Sequence, residues 1–403
     1  MEQPNRTTVL KTVEEPKPEL KQKIMEALAG KWRMLPIFVV LTLIFIVFGS
    51  ISPAFLSVRN IYNLLLQIAQ MATISLGLFF LLLIGEIDLS VASSSAVCGL
   101  IAAYVATRLG GNMVLCILAA VGTGAFFGFV QGAIVTTFQA PAFLVTLGGQ
   151  LFFQGLLLRL LPPENFVSII GLPVTRLTTS TLSLISSNGL VFAATFVMFL
   201  LKYQTYRVAV KVGAPANFFK NVMIPTITIA VAGVLFVFLM DSYFGVSVAV
   251  AIVLVMIGVM TYVGSQTRFG LYLYAIGGNP QAAIRAGIPV TKVRLAAFVI
   301  EGALVGLGGV IAATRVQSVA MASIDMTVQM EAIAAAVLGG ASLFGGRGKV
   351  WGVLLGALIM GSISNGLFLI GASTAWRFMI AGLILVMAIT LDSYIAKASK
   401  MGS

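Results

Sequence analysis

Residues 61–85 read IYNLLLQIAQMATISLGLFFLLLIG, 25 positions without one charged side chain. As a helix rising 1.5 Å per residue this run is roughly 37 Å long, more than the roughly 30 Å of hydrocarbon in a bilayer. It is continuously apolar rather than alternating, so it does not describe a barrel strand. The stretch predicts a transmembrane helix, and the chain repeats the pattern on both sides of it. Comparable apolar segments fall at 35–51, 90–107, 113–138, 143–158, 182–201, 222–240, 243–264, 295–314, 327–345, 350–371 and 375–391. With 61–85 they make twelve. The expected fold is an all-α integral membrane protein, a polytopic bundle of about ten to twelve transmembrane helices, in which short or glycine-rich segments can be broken or re-entrant.

Composition agrees with this reading. Apolar residues make up 59% of the chain and charged residues 9%, too few to cover the surface of a soluble protein. The chain has no histidine, which removes Ser/His/Asp and Cys/His catalysis, imidazole proton relays and the commonest metal ligand. No clustered catalytic set takes their place, and no metal site is expected. Cys98 and Cys116 both lie in apolar runs and are expected to be small packing residues rather than a disulfide.

The net charge of +12 is read through topology rather than as a nucleic-acid footprint. If the N-terminus is cytoplasmic and all twelve segments cross, nineteen of the 25 Lys and Arg residues face the cytoplasm and six face outward. That is the bias of the positive-inside rule. It places both termini of this multi-pass membrane protein in the cytoplasm. Three regions follow: a basic cytoplasmic tail at 1–34, a transmembrane body at 35–394, and a cytoplasmic tail at 395–403. The first tail lacks the short apolar core and cleavage site of a signal peptide. Its residues 19–34 are expected either as a helix on the membrane surface or as a mobile tail.

Within the body, small residues recur four apart at Gly124, Gly128 and Gly132, at Gly302 and Gly306, and at Gly352 and Gly356. Such ridges let helix backbones approach closely in lipid. The most unusual point is Glu86-Ile87-Asp88-Leu89-Ser90, where two carboxylates interrupt some 45 nearly continuous apolar residues. Charges at membrane depth are costly unless solvated or paired. Asp88 and Ser90 are expected to cap the following helix around Ser93, Ser94 and Ser95. A polar pathway, or a metal or proton site, is the alternative.

Residues 265–294 form the longest polar stretch between spans and are expected as a cytoplasmic loop. Asn279 suits an N-cap, Pro280 the first helical position and Gly287 a stop. The two-turn helix so defined carries Ala282, Ala283, Ala286 and one cation, Arg285. Its small face suits docking into a groove of a partner protein.

Three ordered motifs then carry a resemblance. Tyr274-Ala275-Ile276-Gly277-Gly278-Asn279-Pro280-Gln281-Ala282-Ala283, followed by Ala286-Gly287-Ile288, resembles the coupling loop of ribose/xylose-type ABC sugar permeases. Glu86-Ile87-Asp88-Leu89-Ser90 is similar to a second signature of that family, and residues 339–346 with Gly352 and Gly356 to a third. Similarity runs from about residue 57 to 391, and the length resembles the xylose-type branch, with an extra pair of spans between 182 and 240. The resemblance implies a fold like that of type II ABC importer permeases. It also implies a permease that pairs with itself, engages two copies of a cytoplasmic ATPase and receives a monosaccharide from an external binding protein. Asn279, Pro280, Gln281, Ala282, Ala283, Arg285, Gly287 and Ile288 would dock the ATPase.

The chain has no Walker A motif: Gly348-Lys349 is followed by Val350, and Leu343 stands where the first glycine belongs. No cofactor is therefore expected on this chain, ATP-Mg being held by the partner, and no enzymatic activity of its own. Candidate pathway residues are the polar groups set in apolar helices: Gln150, Gln154, Glu301, Gln329, Glu331 and Asn365, with Asn188. Each can equally serve as an interhelical hydrogen bond. The rival reading, a proton- or sodium-coupled secondary transporter of a small polar solute, needs mid-membrane titratable groups and usually an inverted repeat.

Overall fold

The computed structural model describes residues 35–401. The tail at 1–34 therefore lies outside the described residues. All twelve apolar segments fold as helices. In chain order these are α1 (Leu35–Ile51), α2 (Val58–Leu83), α3 (Val91–Arg108), α4 (Met113–Phe138) and α5 (Ala142–Leu160). A single turn, α6 (Arg176–Thr179), precedes α7 (Leu184–Lys211), α8 (Ile224–Asp241) and α9 (Val248–Gln266). Then follow α10 (Arg268–Gly278), α11 (Pro280–Arg285), α12 (Val290–Val316), α13 (Met326–Leu338), α14 (Gly352–Leu369) and α15 (Thr374–Met401). Ten of the spans are long and apolar enough to cross a membrane, and α1 and α15 contribute shorter apolar stretches.

Local chemistry sets the ends. The Ser57 hydroxyl accepts from the Asn60 N–H at 3.2 Å to start α2, and the Asn112 carbonyl oxygen accepts from Leu115 at 2.9 Å to start α4. These bonds satisfy donors that a helix otherwise leaves open. The last span continues as helix through Met401, across the region expected as a tail.

The centre of the molecule is α12, which packs against α2, α3 and α4. Its glycines explain the fit. A Cβ added at Gly124 would lie 2.1 Å from the carbonyl oxygen of Gly302, and one at Gly128 just as close to that of Phe298. The two backbones therefore touch, which only glycine permits. On the other side α13 and α14 pack on each other and on α2, with Gly356 against the Ala335 carbonyl. Cys98 and Cys116 are buried and form no disulfide, and the Cys116 thiol donates to the Gly111 carbonyl at 3.6 Å.

The pair α7 and α8 pack chiefly on each other. They are the least buried of the long spans and present rows of phenylalanine, valine and leucine outward. A two-stranded antiparallel ribbon, β1 (Phe166–Ser168) with β2 (Ser318–Ala320), ties the α5–α6 connection to the end of α12.

The stretch expected as a polar loop at 265–294 is more helical than its composition suggests. Leu273 and Ile276 of α10 are buried against the body, and α12 starts at Val290 rather than 295. The apolar face of α10 is only three turns long, too short to register as a span. In the opposite sense, the segment expected at 327–345 stops at Leu338, because the glycines after it turn away with positive φ at Gly340, Gly345 and Gly346.

Candidate functional site

Two features stand at opposite ends of α2 and α12. At the end carrying Asn60 and Arg315 lies a cavity of about 830 Å³. Its walls include Asn60, Asn63, Gln67 and Gln70 of α2, spaced three or four apart so that they share one helix face. Glu331 of α13 and Ser364 of α14 line it as well, and the Ser364 hydroxyl donates to the Glu331 carboxylate. Nearby the Asn60 amide donates to the Asn365 side chain at 2.8 Å and to the Phe55 carbonyl at 3.0 Å. Arg315, Asp325 and Arg377 add charge at the rim.

The cavity stops partway along the helices. Gln70 is twelve residues into α2, roughly 18 Å from its start. From Met71 to Leu83 every residue of α2 is buried, with Leu76, Leu78, Phe79 and Phe80 wholly so. This apolar plug closes the cavity from the far end. A chamber open on one side, with the polar face of α2 set among apolar walls, can admit a hydroxylated solute and offer it several weak hydrogen bonds, while the plug prevents passage.

Of the candidate pathway residues, Glu331 and Asn365 line the cavity, whereas Gln150, Gln154, Glu301 and Gln329 lie outside its wall. The Gln150 amide contacts the Met326 sulfur at 3.5 Å, and Asn188 bonds its own helix at the Leu184 carbonyl on the exposed face of α7. Glu301 and Gln329 are buried elsewhere in the bundle. The α2 stripe was legible in the sequence as four amides at helical spacing, and was missed because α2 was read for apolarity alone.

The second feature, at the far end of α2, brings the three sequence motifs together. The Gly346 N–H donates to the Leu83 carbonyl at 2.8 Å. A Cβ on Gly277 would lie 1.8 Å from that same carbonyl oxygen and 2.3 Å from the Gly346 nitrogen. Glu86, Gly277 and Gly346 thus belong to three backbones that meet where no side chain fits between them. Beside this junction is a smaller pocket of about 480 Å³, walled by Glu86, Pro141, Ile276, Pro280 and Arg294 among others.

The segment between α2 and α3 is held from every side. Arg294, one turn into α12, forms an ion pair with Glu86 and donates through Nε at 2.6 Å. Thr146 of α5 accepts from the Leu89 N–H at 3.1 Å and donates to the Ile87 carbonyl at 3.3 Å. Asp88 Oδ1 accepts from the Ser90 N–H at 2.5 Å and from the Ser90 hydroxyl at 2.7 Å. Gln131 of α4 in turn donates to that hydroxyl at 2.9 Å. Burial raises the Glu86 carboxyl above its ordinary range, against the pull of Arg294, and pushes Asp88 up to about 6, against the bonds from Ser90.

Capping here differs from the expectation. Ser90 is the N-cap residue of α3, but its φ of −94° and ψ of −4° are helical rather than extended, and its side chain makes no capping bond. Asp88 instead closes a two-residue turn onto Ser90, while Ser93, Ser94 and Ser95 are served by helical bonds or by none.

The short helix α11 forms as the sequence predicts. Asn279 accepts from the Ala282 N–H at 3.0 Å, Pro280 is its first residue, and Gly287 takes φ +76° after its end. One expectation fails. Ala283, placed on the docking face by its size, is 3% exposed and belongs to the buried core, because α11 packs on α10 and the start of α12. The outward face is formed by Gln281, Ala282, Ile284 and Arg285.

Comparison with known proteins gives concordant findings. A family model described as branched-chain amino acid transport system / permease component matches residues 60–389. The xylose transport system permease protein XylH of Escherichia coli (strain K12) is 35% identical over 347 residues, covering 84% of this chain and 86% of that protein. XylH of Haemophilus influenzae is 33% identical over 346 residues, covering 84% and 90%. The ribose import permease protein RbsC of Bacillus subtilis (strain 168) is 32% identical over 365 residues, covering 90% and 94%. No solved structure matches the chain.

Proposed function

The chain belongs to the branched-chain amino acid transport system / permease component family, and from that premise we propose that it is the membrane-spanning subunit of an ATP-driven importer of a monosaccharide such as xylose or ribose. The observation that carries the reading is the one-sided chamber: amides, a carboxylate and a hydroxyl line the entrance, and an apolar plug separates it from the junction beside α11. Sugars need hydrogen-bond partners in transit, and several weak ones favour release. The chain lacks a Walker A motif, so the ATPase is a separate subunit that carries ATP-Mg. Two copies of it would dock on the outward faces of α11 in a permease dimer, and an external binding protein would deliver sugar to the cavity end.

Orientation follows from the charge bias, with both termini and α11 cytoplasmic and the cavity external. Reconstitution in liposomes with its ATPase and binding protein tests the function directly. Sugar-loaded binding protein should stimulate ATP hydrolysis and concentrate the sugar. Transport that persists without the ATPase and follows an ion gradient would replace this reading with a secondary transporter. A membrane-impermeant thiol reagent should label a cysteine placed at Ser323 from outside, and should leave one at Gln281 untouched. The reverse pattern would invert the topology.

A further inference from the structure

Two side chains of α12 face the 84–90 segment, seven residues and roughly 10 Å apart along the helix. Arg294 meets Glu86 as an ion pair. Two turns further on, Glu301 meets Asp88. This second contact joins two acids, and the first has already engaged the nearest cation.

The surroundings leave the acids no other remedy. Glu301 is 1% and Asp88 2% exposed. Both Glu301 carboxyl oxygens are buried without any donor. The α2 backbone presses on this residue, since a Cβ at Gly77 would lie 3.0 Å from the Glu301 carbonyl oxygen. Cys98 of α3 is the titratable side chain that faces Glu301 from α3, and it is a buried thiol. The remaining charges of α2 and α3 are Arg59 and Arg108, at the far ends of their helices, and α4 has none. On α12, Lys292 is exposed and Arg315 is fourteen residues away, roughly 20 Å. Arg268 and Arg285 of α10 and α11 are exposed, Tyr272 is half-buried, and the Tyr274 hydroxyl donates to the Gly348 carbonyl at 2.9 Å. Arg176 is exposed, and Asp325 lines the cavity.

Two adjacent carboxylates in such a setting cannot both be ionised, because neither desolvation nor mutual repulsion is offset. We propose that Asp88 and Glu301 bind a single proton between them, and that this shared proton fastens α12 to the 84–90 segment in the core of the protein. Asp88 is the natural acceptor. It takes two bonds from Ser90 at the start of α3, where a negative charge is favoured, and its second oxygen remains for the Glu301 O–H. No bond is made or broken beyond the O–H. The proton comes from water during folding and leaves to water if the segment opens.

The proton makes a prediction about pH. The native pair holds a proton that the unfolded carboxyls have already released at neutral pH, so stability falls as pH rises. Infrared spectroscopy of the purified permease in lipid nanodiscs reads the group directly, without transport. Its failure would leave the importer reading intact, and loss of transport would not touch this one. The expected result is a carbonyl band of a buried, protonated carboxyl that shifts in D2O and disappears in Glu301→Gln. The Gln variant, whose amide can still donate to Asp88, should also lose the decline in thermal midpoint that the native protein shows towards alkaline pH. If Glu301→Gln does not accumulate, Asp88→Asn serves instead, and the Glu301 band should shift as its acceptor changes from carboxylate to amide. A spectrum unchanged by the variant that accumulates, or a thermal midpoint with the same pH dependence in native and Glu301→Gln protein, would overturn the proposal.

Discussion

Arg294 and Glu86 are 208 positions apart in the chain and 2.6 Å apart in the fold. The first lies one turn into α12, the second at the mouth of the segment that follows the α2 plug. The ion pair therefore ties the start of α12, the helix that follows α11, directly to the segment between α2 and α3. Breaking a hydrogen bond between charged partners costs about 1.5–3 kcal/mol. Glu86→Arg and Arg294→Glu should each lower sugar uptake per ATP hydrolysed, and the double exchange should restore much of it. An exchange no better than either single variant would remove this pair from coupling.

The glycine junction supplies a matched pair of substitutions. Gly277→Ala would place a methyl group 1.8 Å from the Leu83 carbonyl oxygen and 2.3 Å from the Gly346 nitrogen, and these are backbone atoms that cannot move aside as a side chain can. Gly278→Ala meets nothing within 4 Å. The first should fail to accumulate as a monodisperse permease, and the second should behave as native on size exclusion. Equal behaviour of the two would mean that the junction loosens in the membrane.

For the docking helix, the two neighbouring alanines should give opposite phenotypes. Ala282→Trp adds bulk on the outward face and should leave the permease folded but unable to retain its ATPase, since overpacking an interface costs about 1–3 kcal/mol. Ala283→Trp must fit into the body and should instead reduce folded protein. Gly287→Val forces a branched residue to φ +76° and should disturb α11 without touching its docking face. Copurification of the ATPase, scored against yield, separates these outcomes.

In the cavity, Glu331→Gln keeps shape and hydrogen bonding to Ser364 while removing charge. Uptake should change little if the pathway needs only hydrogen bonds, whereas Glu331→Leu should reduce it about tenfold or more. Gln67→Leu, which alters the wall without a charge, should reduce uptake in the same direction. A Gln67→Leu variant with native transport would place the sugar's route elsewhere.

Hydropathy is a property of composition, so all twelve helices could be read from the chain before any packing was known. The Asn279–Pro280–Gly287 pattern was equally legible, because caps and stops are settled within a few residues. Which way Ala283 points was not, since that depends on where α11 lies on α12. Arg294 looked like a loop residue because α12 begins five residues before its apolar stretch does. The meeting of Leu83, Gly277 and Gly346 had no sequence signal beyond the glycines themselves, whose partners lie some 70 to 260 positions away. Glu301 was seen as polar in an apolar helix, but pathway and buried contact share that signature, and only its neighbours separate them.

The placement of α12 carries a consequence for how the protein is made. Its three principal neighbours, α2, α3 and α4, are synthesised long before it, and the glycine surfaces of α4 have no other partner that fits them so closely. A nascent chain that has reached α9 therefore holds an open slot lined by bare backbone, which α12 must enter from the side rather than stack against. Insertion in the order of synthesis leaves the bundle incomplete until α12 arrives. The core of this fold is closed by a helix made some 150 residues after the last of its three main neighbours.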